Sequence, residues 1–510
     1  MSNSLNPVFG EYDDPANQKQ GLLTVNFSKD GNTLIYGMNE SGKDEILQSL
    51  VYSMLSNYST DELHLYLVDF GAETLINFRE APQVGDVVIN GDDEKVNNLS
   101  KYLYVELNKR KKLFTKFGGS YQDYIKNSGE TLPSIVVIIN SVEIMNEVYQ
   151  DIIEKYIPSI REGAKYGIYF IITSETQSTV KMKVVQSCKN ALCLQMASDL
   201  VYRDILGRTN GIIPSSTLGR GLCKFENVCE FQTAFITKDD SLYNVLKKFV
   251  EELKAKGMKE APVIHVMPEI VELKPMMKKY TGLDSVPVGI IKDNLNIMKY
   301  NFAKKVTTVI TSSEFEIMGR FIKNMINVFD NNENKFMTTV IDASRFYETF
   351  EHKNVSYLNS QYNEFVDSLD KANQSILDIL AENDNDYRSI ASIPNNLVVI
   401  IGFEKFYNKL DDDHKKIFQK ILTSNKEEPK MNFVYFDVPG SFKKYEYEDW
   451  YKQSMDTTNA IWVGPGVGQQ FLVKISNSLS SYSAIDKEHA MVVQNGNGQI
   501  VKLINEIKWV

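Results

Sequence analysis

A chain of 510 residues is longer than one hydrophobic core usually serves and is expected to fold as two or three domains. Its 43% apolar and 24% charged residues are those of globular protein; no apolar run is long enough to span a membrane, and Met1–Gln20 lacks the apolar core of an export signal. A net charge of −10 argues against a long basic track for nucleic acid, and Cys188, Cys193, Cys223 and Cys229 lack the paired spacing of a zinc site.

Along the chain, β-rich runs alternate with helix-patterned segments, which predicts largely parallel sheets flanked by helices. The first informative stretch is Thr33–Tyr36, a short apolar strand that runs into Gly37-Met38-Asn39-Glu40-Ser41-Gly42-Lys43-Asp44. Ile46, Leu47, Leu50, Val51, Met54 and Leu55 then recur at helical spacing. Strand, Gly-x-x-x-x-Gly-Lys and helix make a Walker A phosphate loop: the glycines let successive N–H groups face phosphates, the helix start adds positive potential, and Lys43 adds a mobile charge. The bland alternative is a glycine-rich turn that caps a helix. The final position of the motif needs a Ser or Thr hydroxyl for Mg²⁺, and here it is Asp44, with Glu40 a second carboxylate in the loop. A carboxylate about 4 Å from a phosphate costs roughly 4 kcal/mol at an effective dielectric of 20. Asp44 either ligates the metal itself, is protonated, or turns outward.

Leu65–Val68 is a strand ending in Asp69, which serves as a metal ligand or as a turn cap. Lys109-Arg-Lys-Lys112 reads as a solvated helix segment. Ile135–Ile139 is the strand on which a P-loop ATPase carries its metal-shell Asp and water-activating Glu. It ends instead in Asn140-Ser141, neither of which takes a proton from water. Glu143 follows, but an ordinary turn points it elsewhere. Arg161 is either a finger for a neighbouring subunit or half of a surface ion pair. The strand Tyr169–Ile172 leads to Gln177, either a γ-phosphate sensor or a loop anchor. Gly219-Arg-Gly221 is a late turn.

Pro262, Pro268 and Pro275 mark a seam, and beyond it the plan repeats. Pro287, Val288 and Gly289 repeat the entry Pro7, Val8, Phe9 and Gly10; Asn296–Phe302 resembles Gly21–Phe27; Thr338–Asp342 resembles Leu65–Asp69; and Leu397–Gly402 resembles Ile135–Asn140. The order is kept, so whole domains are duplicated: a first module at 1–262, a linker at 263–285 and a second module at 286–510. The second has no phosphate loop. Thr307–Ile317 lacks the glycines and lysine, and Ser313-Glu-Phe-Glu316 reads as a capping box. Its catalytic strand ends in Gly402-Phe403, without an acid. Gly464-Pro-Gly-Val-Gly468 reads as a hairpin turn between Ala460–Val463 and Phe471–Ile475. Phe315, Ile317, Phe346, Phe403 and Phe406 either line the cleft left beyond the strand ends, where they would take the apolar face of a helix, or fill the core.

Gly37-x-x-x-x-Gly-Lys43, Leu67-Val-Asp69, Ile135–Ile139, Gly167–Ile172 with Thr176-Gln177, Ser198-Asp199 and Gly219-Arg-Gly221 resemble the FtsK/SpoIIIE group of RecA-like motor ATPases. The duplicated form is similar to the C-terminal ATPase modules of the EssC-type membrane ATPase of type VII protein secretion. The resemblance implies two tandem RecA-like P-loop modules from the cytoplasmic part of a membrane-anchored parent, acting on exported WXG100-class proteins with other secretion components, as a homo-oligomer such as a hexamer. It implies ATP and Mg²⁺ in the first module only. Asp44, Asn140 and Ser141 depart from the pattern, so a slow or inactive ATPase is expected. An active DNA translocase of the same group and a scaffold without nucleotide are the competing readings; the net charge and the lost acids weigh against the former, and the intact Gly37, Gly42 and Lys43 against the latter.

Overall fold

The computed structural model describes residues 4–238, 241–277, 282–331, 336–424, 427–476 and 485–505. The chain divides into two compact units, Met1–Val266 and Met267–Val510. In the first, ten strands form one sheet: β1 (Val8–Asp14), β2 (Lys19–Thr24), β3 (Asn32–Tyr36), β4 (Leu63–Asp69), β5 (Val84–Ile89), β6 (Ser134–Asn140), β7 (Ile168–Ser174), β8 (Cys188–Cys193), β9 (Arg220–Lys224) and β10 (Val228–Thr233). Their order is β2-β1-β10-β9-β8-β3-β7-β6-β4-β5. From β8 to β5 neighbours run parallel; β9, β10, β1 and β2 continue the sheet antiparallel. Helix Lys43–Asn57 packs into the core on one face, and helices Asp93–Phe114 and Ile152–Glu162 into that on the other. Every residue of β6 and β7 is consequently buried, which is why these strands read as unbroken apolar runs rather than alternations.

The second unit repeats this strand for strand. It contains β11 (Val286–Ile291), β12 (Ile297–Tyr300), β13 (Thr307–Thr311), β14 (Phe336–Asp342), β15 (Val355–Leu358), β16 (Asn395–Ile401), β17 (Met431–Phe436), β18 (Ala460–Val463), β19 (His489–Gln494) and β20 (Asn497–Leu503). Their order is β12-β11-β20-β19-β18-β13-β17-β16-β14-β15. Even the irregularity of the entry strand is duplicated: the register shifts between Val8 and Gly10 and again between Pro287 and Gly289. A Cβ at Gly10 would strike the Gln232 carbonyl, and one at Gly289 the Lys502 carbonyl, so both modules need glycine there.

The registers correct one detail of the repeat. Asp69 lies beside Asn140, and Asp342 beside Ile401. The counterpart of Asn140 is therefore Ile401, and that of Ser141 is Gly402, one position from the match suggested by the sequence. Successive Val and Ile residues slide over one another without penalty in a comparison of letters, whereas the strand end is fixed by the left-handed backbone of Ser141 (φ 59°) and Gly402 (φ 82°).

The proline-marked seam is no free tether. Val271, Leu273 and Met276 are buried in the core of the second unit. Val271 N donates to Asn505 Oδ1 at 2.7 Å, and Lys502 Nζ to the Pro268 carbonyl at 2.9 Å. A second module begun at Met267 is expected to unfold cooperatively in urea. One begun at Ser285 should be less stable by about 4 kcal/mol or more, since each buried apolar side chain contributes on the order of 1.5–3 kcal/mol. Equal midpoints would show that the seam is dispensable.

Candidate functional site

The phosphate loop hangs from the carboxyl ends of neighbouring strands. Gly37 N donates to the Ser174 carbonyl at the end of β7 (3.1 Å), Met38 N to the Gln195 carbonyl just beyond β8 (2.9 Å), and Gly219 N to the Ser41 carbonyl (3.1 Å). Gly42 sits at φ 105°, and a Cβ on it would collide with the Gly219 backbone, so glycine is required for both reasons. Helix Lys43–Asn57 begins at once with no side-chain cap, and the N–H groups of Lys43, Asp44 and Glu45 have no acceptor among the described residues. The Ser41 hydroxyl is likewise buried without a partner. Asn39 and Glu40 are exposed on the rim. Lys43 is folded back, its Nζ donating to the Gly37 carbonyl at 2.6 Å. Burial holds its pKa below the ordinary lysine value, opposed by the charges of Glu143, Glu175 and Asp44.

Beside the loop, Asn140 ties two carboxylates together. Its amide nitrogen donates to Asp69 Oδ1 (2.8 Å) and to Asp44 Oδ1 (3.0 Å), while its carbonyl oxygen accepts from Thr173 Oγ1 (2.6 Å). Thr173 Oγ1 in turn accepts from Ser141 N at 2.8 Å. Asp69 is fully buried and also holds the turn after β4, accepting from Gly71 N and Leu75 N. It is thus both a turn cap and a member of the site. Asp44 points inward rather than outward. Burial raises its pKa, the bond from Asn140 opposes that, and the Asp69 charge adds to it.

These residues fit phosphate: free N–H groups at a helix start, an unpartnered buried hydroxyl and Lys43 converge on one cradle. They also offer a divalent cation two carboxylates, Asp44 and Asp69, although no group of three or more His, Cys, Asp or Glu side chains suited to a metal occurs among the described residues. A cation there would offset the repulsion between Asp44, Asp69 and phosphate.

Glu143 corrects the reading made from an ordinary turn. The left-handed Ser141 redirects the chain into helix Val142–Val148, and Ser174 Oγ donates to Glu143 Oε2 at 2.9 Å. The same Ser174 holds Gly37 through its carbonyl, so Glu143 stands at the loop, and of the carboxylates acting on Lys43 its charge acts most strongly. A small polar residue directly after the strand was the only signal in the sequence. Gln177 opens a short 3-10 turn beyond β7 and is half-exposed. Arg161 lies away from this loop, on the surface. It ends helix Ile152–Glu162 at the opposite edge of the sheet, where Asn32 at the start of β3 donates to the Ile160 carbonyl, and it pairs with Glu162 at 2.8 Å.

At the equivalent place in the second module, β13 leads into a 3-10 turn and not directly into an α-helix. Ser313 and Glu316 do not form a capping box: Glu314 precedes a 3-10 turn at Phe315–Met318 with no side-chain cap, Ser313 and Glu316 are exposed, and the α-helix starts only at Gly319. The tighter turn removes the α-helical spacing that such a box requires. A Cβ at Gly464 would collide with the Ile317 side chain, so an apolar group stands against the turn that faces the former loop. That turn is no hairpin either. β18 pairs with β19, Val467–Gln469 forms a 3-10 turn, and Phe471–Ile475 is not a strand. Phe403 and Phe406 are fully buried, with Phe403 stacked on Phe442 at 5.3 Å, so they fill core and line no cleft. Phe315 and Phe346 remain partly exposed, edge to face at 6.4 Å, and Phe346 continues into Tyr347, Phe350 and Tyr357.

Residues 15–206 match the FtsK/SpoIIIE family. The ESX secretion system protein YukB of Bacillus subtilis is 25% identical over 305 residues, 58% of this chain and 20% of that protein. The chain spans about a fifth of the length of the curated relatives it matches. In structure, ATPases 2 and 3 of EssC from Geobacillus thermodenitrificans superpose over 98% of this chain and 96% of that one, with a TM-score of 0.82 at 19% identity. ATPases 2 and 3 of Thermomonospora curvata EccC, solved in complex with a signal sequence peptide, cover 100% of this chain and 94% of that one, with a TM-score of 0.60 at 17% identity. The fold is that of two tandem RecA-like modules.

Two outcomes follow from the acid cluster. Asn140→Asp places a third carboxylate between Asp44 and Asp69, so the variant should melt about 4 °C or more below the parent in EDTA and recover in millimolar Mg²⁺. Because the folded state raises the pKa of Asp44, its contribution to stability is lost as pH rises from the ordinary carboxylate value of about 4. Asp44→Asn is therefore expected to be more stable than the parent at pH 7, with the difference closing towards pH 4 in urea titrations.

Proposed function

We propose that the chain is a cytoplasmic segment of a type VII secretion motor ATPase in which the first module binds Mg-ATP weakly and the second recognises exported protein. The observation that carries this reading is the asymmetry of two otherwise equivalent sites: an open cradle with Lys43 in one, Ile317 against a glycine turn and an aromatic patch in the other. In the first, the N–H groups of Lys43, Asp44 and Glu45 would hold phosphate, and Lys43 would exchange the Gly37 carbonyl for a phosphate oxygen. Asp44 and Asp69 would hold the cation, which would supply charge neutralisation. Asp44 in place of a hydroxyl weakens binding, and Asn140 in place of an acid slows turnover. Glu143 on the Ser174 hydroxyl is the carboxylate on hand to take a proton from water.

The partner we assign to the second module is the helical segment of a WXG100-class protein; that ATPases 2 and 3 of Thermomonospora curvata EccC were solved with a signal sequence peptide supports a peptide partner for this fold. Half-exposed Phe315 and Phe346 offer spaced apolar anchors to one face of a helix. Assembly as a homo-oligomer with other secretion components, from a membrane-anchored parent, belongs to the same reading.

A fluorescent ATP analogue titrated into the full chain should bind, and Lys43→Ala should weaken binding at least tenfold, whereas Ser313→Ala, at the former site of the second module, should change nothing. Capture of a WXG100-class protein should fall on Phe315→Asp or Phe346→Asp in variants that still unfold cooperatively. Analogue binding indifferent to Lys43→Ala, or capture indifferent to both aromatic changes, would reject the corresponding half of the proposal.

A further inference from the structure

The duplication also shows a groove that is filled in one module and that no described residue fills in the other. In the first module, the chain that follows helix Leu242–Ala255 returns across the amino-terminal ends of β4 and β5. Ala261 N donates to the Pro82 carbonyl, Tyr66 OH to the Pro262 carbonyl, and Asn98 Nδ2 to the His265 carbonyl, each at 2.8 Å. Ala261 and Ile264 are buried there, beside the rings of Tyr66 and Tyr102, whose centroids lie 5.3 Å apart.

The second module has the same strands and helix at this place without the rings, and among the described residues no segment crosses it. Leu65 and Tyr66 stand beside Val84 and Asp86, as Thr338 and Thr339 stand beside Val355 and Ser356. Along the covering helix, buried Val96, Leu99, Leu103 and Arg110 correspond to Val366, Leu369, Asn373 and Leu380 of helix Tyr362–Glu382. Thr339 thus replaces Tyr66, Ser368 replaces Asn98, and Ala372 replaces Tyr102. The result is a groove of about 360 Å³ lined by Met337, Thr338, Thr339, Phe365, Ser368 and Ala372 among others, none of them charged. Met337 is 56% exposed at its mouth.

We propose that this groove takes an extended apolar segment of a partner polypeptide, laid as Ala261–His265 lies in the first module. One large apolar side chain would fill the space of the two missing rings. A charged ligand has no counter-charge among the lining side chains. The described chain does not itself supply the segment: β20 lies seven strands from β15, about 34 Å at ~4.8 Å per strand, and Asn505 beyond it is tied to Val271 and Glu269. The groove is at the amino-terminal edge of the sheet, away from Phe315 and Phe346 beyond the carboxyl ends, and is independent of signal recognition there.

The probe is a fluorescent peptide of residues 259–266 carrying Ile264→Phe, titrated against the full chain by polarisation. It should bind saturably and about tenfold more tightly than the unsubstituted peptide. Thr339→Tyr with Ala372→Tyr, which restores the two rings, should weaken binding at least tenfold without lowering the melting temperature. Should that double variant melt lower, Met337→Asp at the exposed mouth provides the same loss without touching the groove floor. Binding unchanged in a variant that retains its stability, or no saturable binding up to about 1 mM, corresponding to roughly −4 kcal/mol, overturns the proposal.

Discussion

Parallel pairing of β3, β7, β6 and β4 brings the carboxyl ends of four strands to one edge of the sheet, and everything at the candidate site hangs from that edge. The register is what matters. Asn140 lies beside Asp69 because β6 and β4 pair there, and Ser174 lies beside Tyr36 because β7 and β3 do. A slip of one residue would turn each of these side chains to the other face of the sheet and leave buried carboxylates without donors. The apolar runs on both faces resist such a slip, since Ile138 and Ile139 already belong to different cores.

Within that frame the site settles a problem of like charge. Asp44 and Asp69 are inward-facing acids in a region of reduced dielectric, where each close pair of charges costs kilocalories. A neutral amide is the one common side chain that can donate two hydrogens from a single nitrogen while accepting through its oxygen. Asn140 uses all three capacities. An acid at this position would demand a cation to hold the cluster together. The asparagine ties the two carboxylates together without a cation, and stands in place of the group that would orient a metal and its water.

Duplication followed by divergence explains the rest. Both modules keep the features imposed by backbone packing: the strand order, the bulge with Gly10 and Gly289, the buried Asp69 and Asp342 holding their turns, and the left-handed residue after β6 and β16. They differ where a side chain merely occupies space. Ile317 stands against the turn that faces a vanished phosphate loop, and Thr339 with Ala372 opens a groove where two tyrosines close one. A fold can exchange such occupants because each costs or contributes only a few kilocalories, whereas loss of a strand register costs the core.

Local spacing alone determined much of this protein. The alternation of strands and helices, the repeat, the loop Gly37–Lys43 with its helix, the aberrant Asp44 and Asn140, and the absence of a second loop are all statements about neighbours in sequence, and short-range patterns carry them. What the tertiary structure decided are encounters between distant segments and departures from ordinary backbone. Asn140 meets Asp44 across 96 residues, and Ser174 meets Glu143 only because Ser141 adopts a left-handed turn that no pattern in the chain announces. Phe403 and Phe315 are the same residue type, yet one is core and the other rim, because burial depends on what packs above a strand end and not on the letter. The capping box at Ser313 and the hairpin at Gly464 failed for that reason too: each is a local preference, whereas the 3-10 turn at Phe315–Met318 and the pairing of β18 with β19 belong to the packed module.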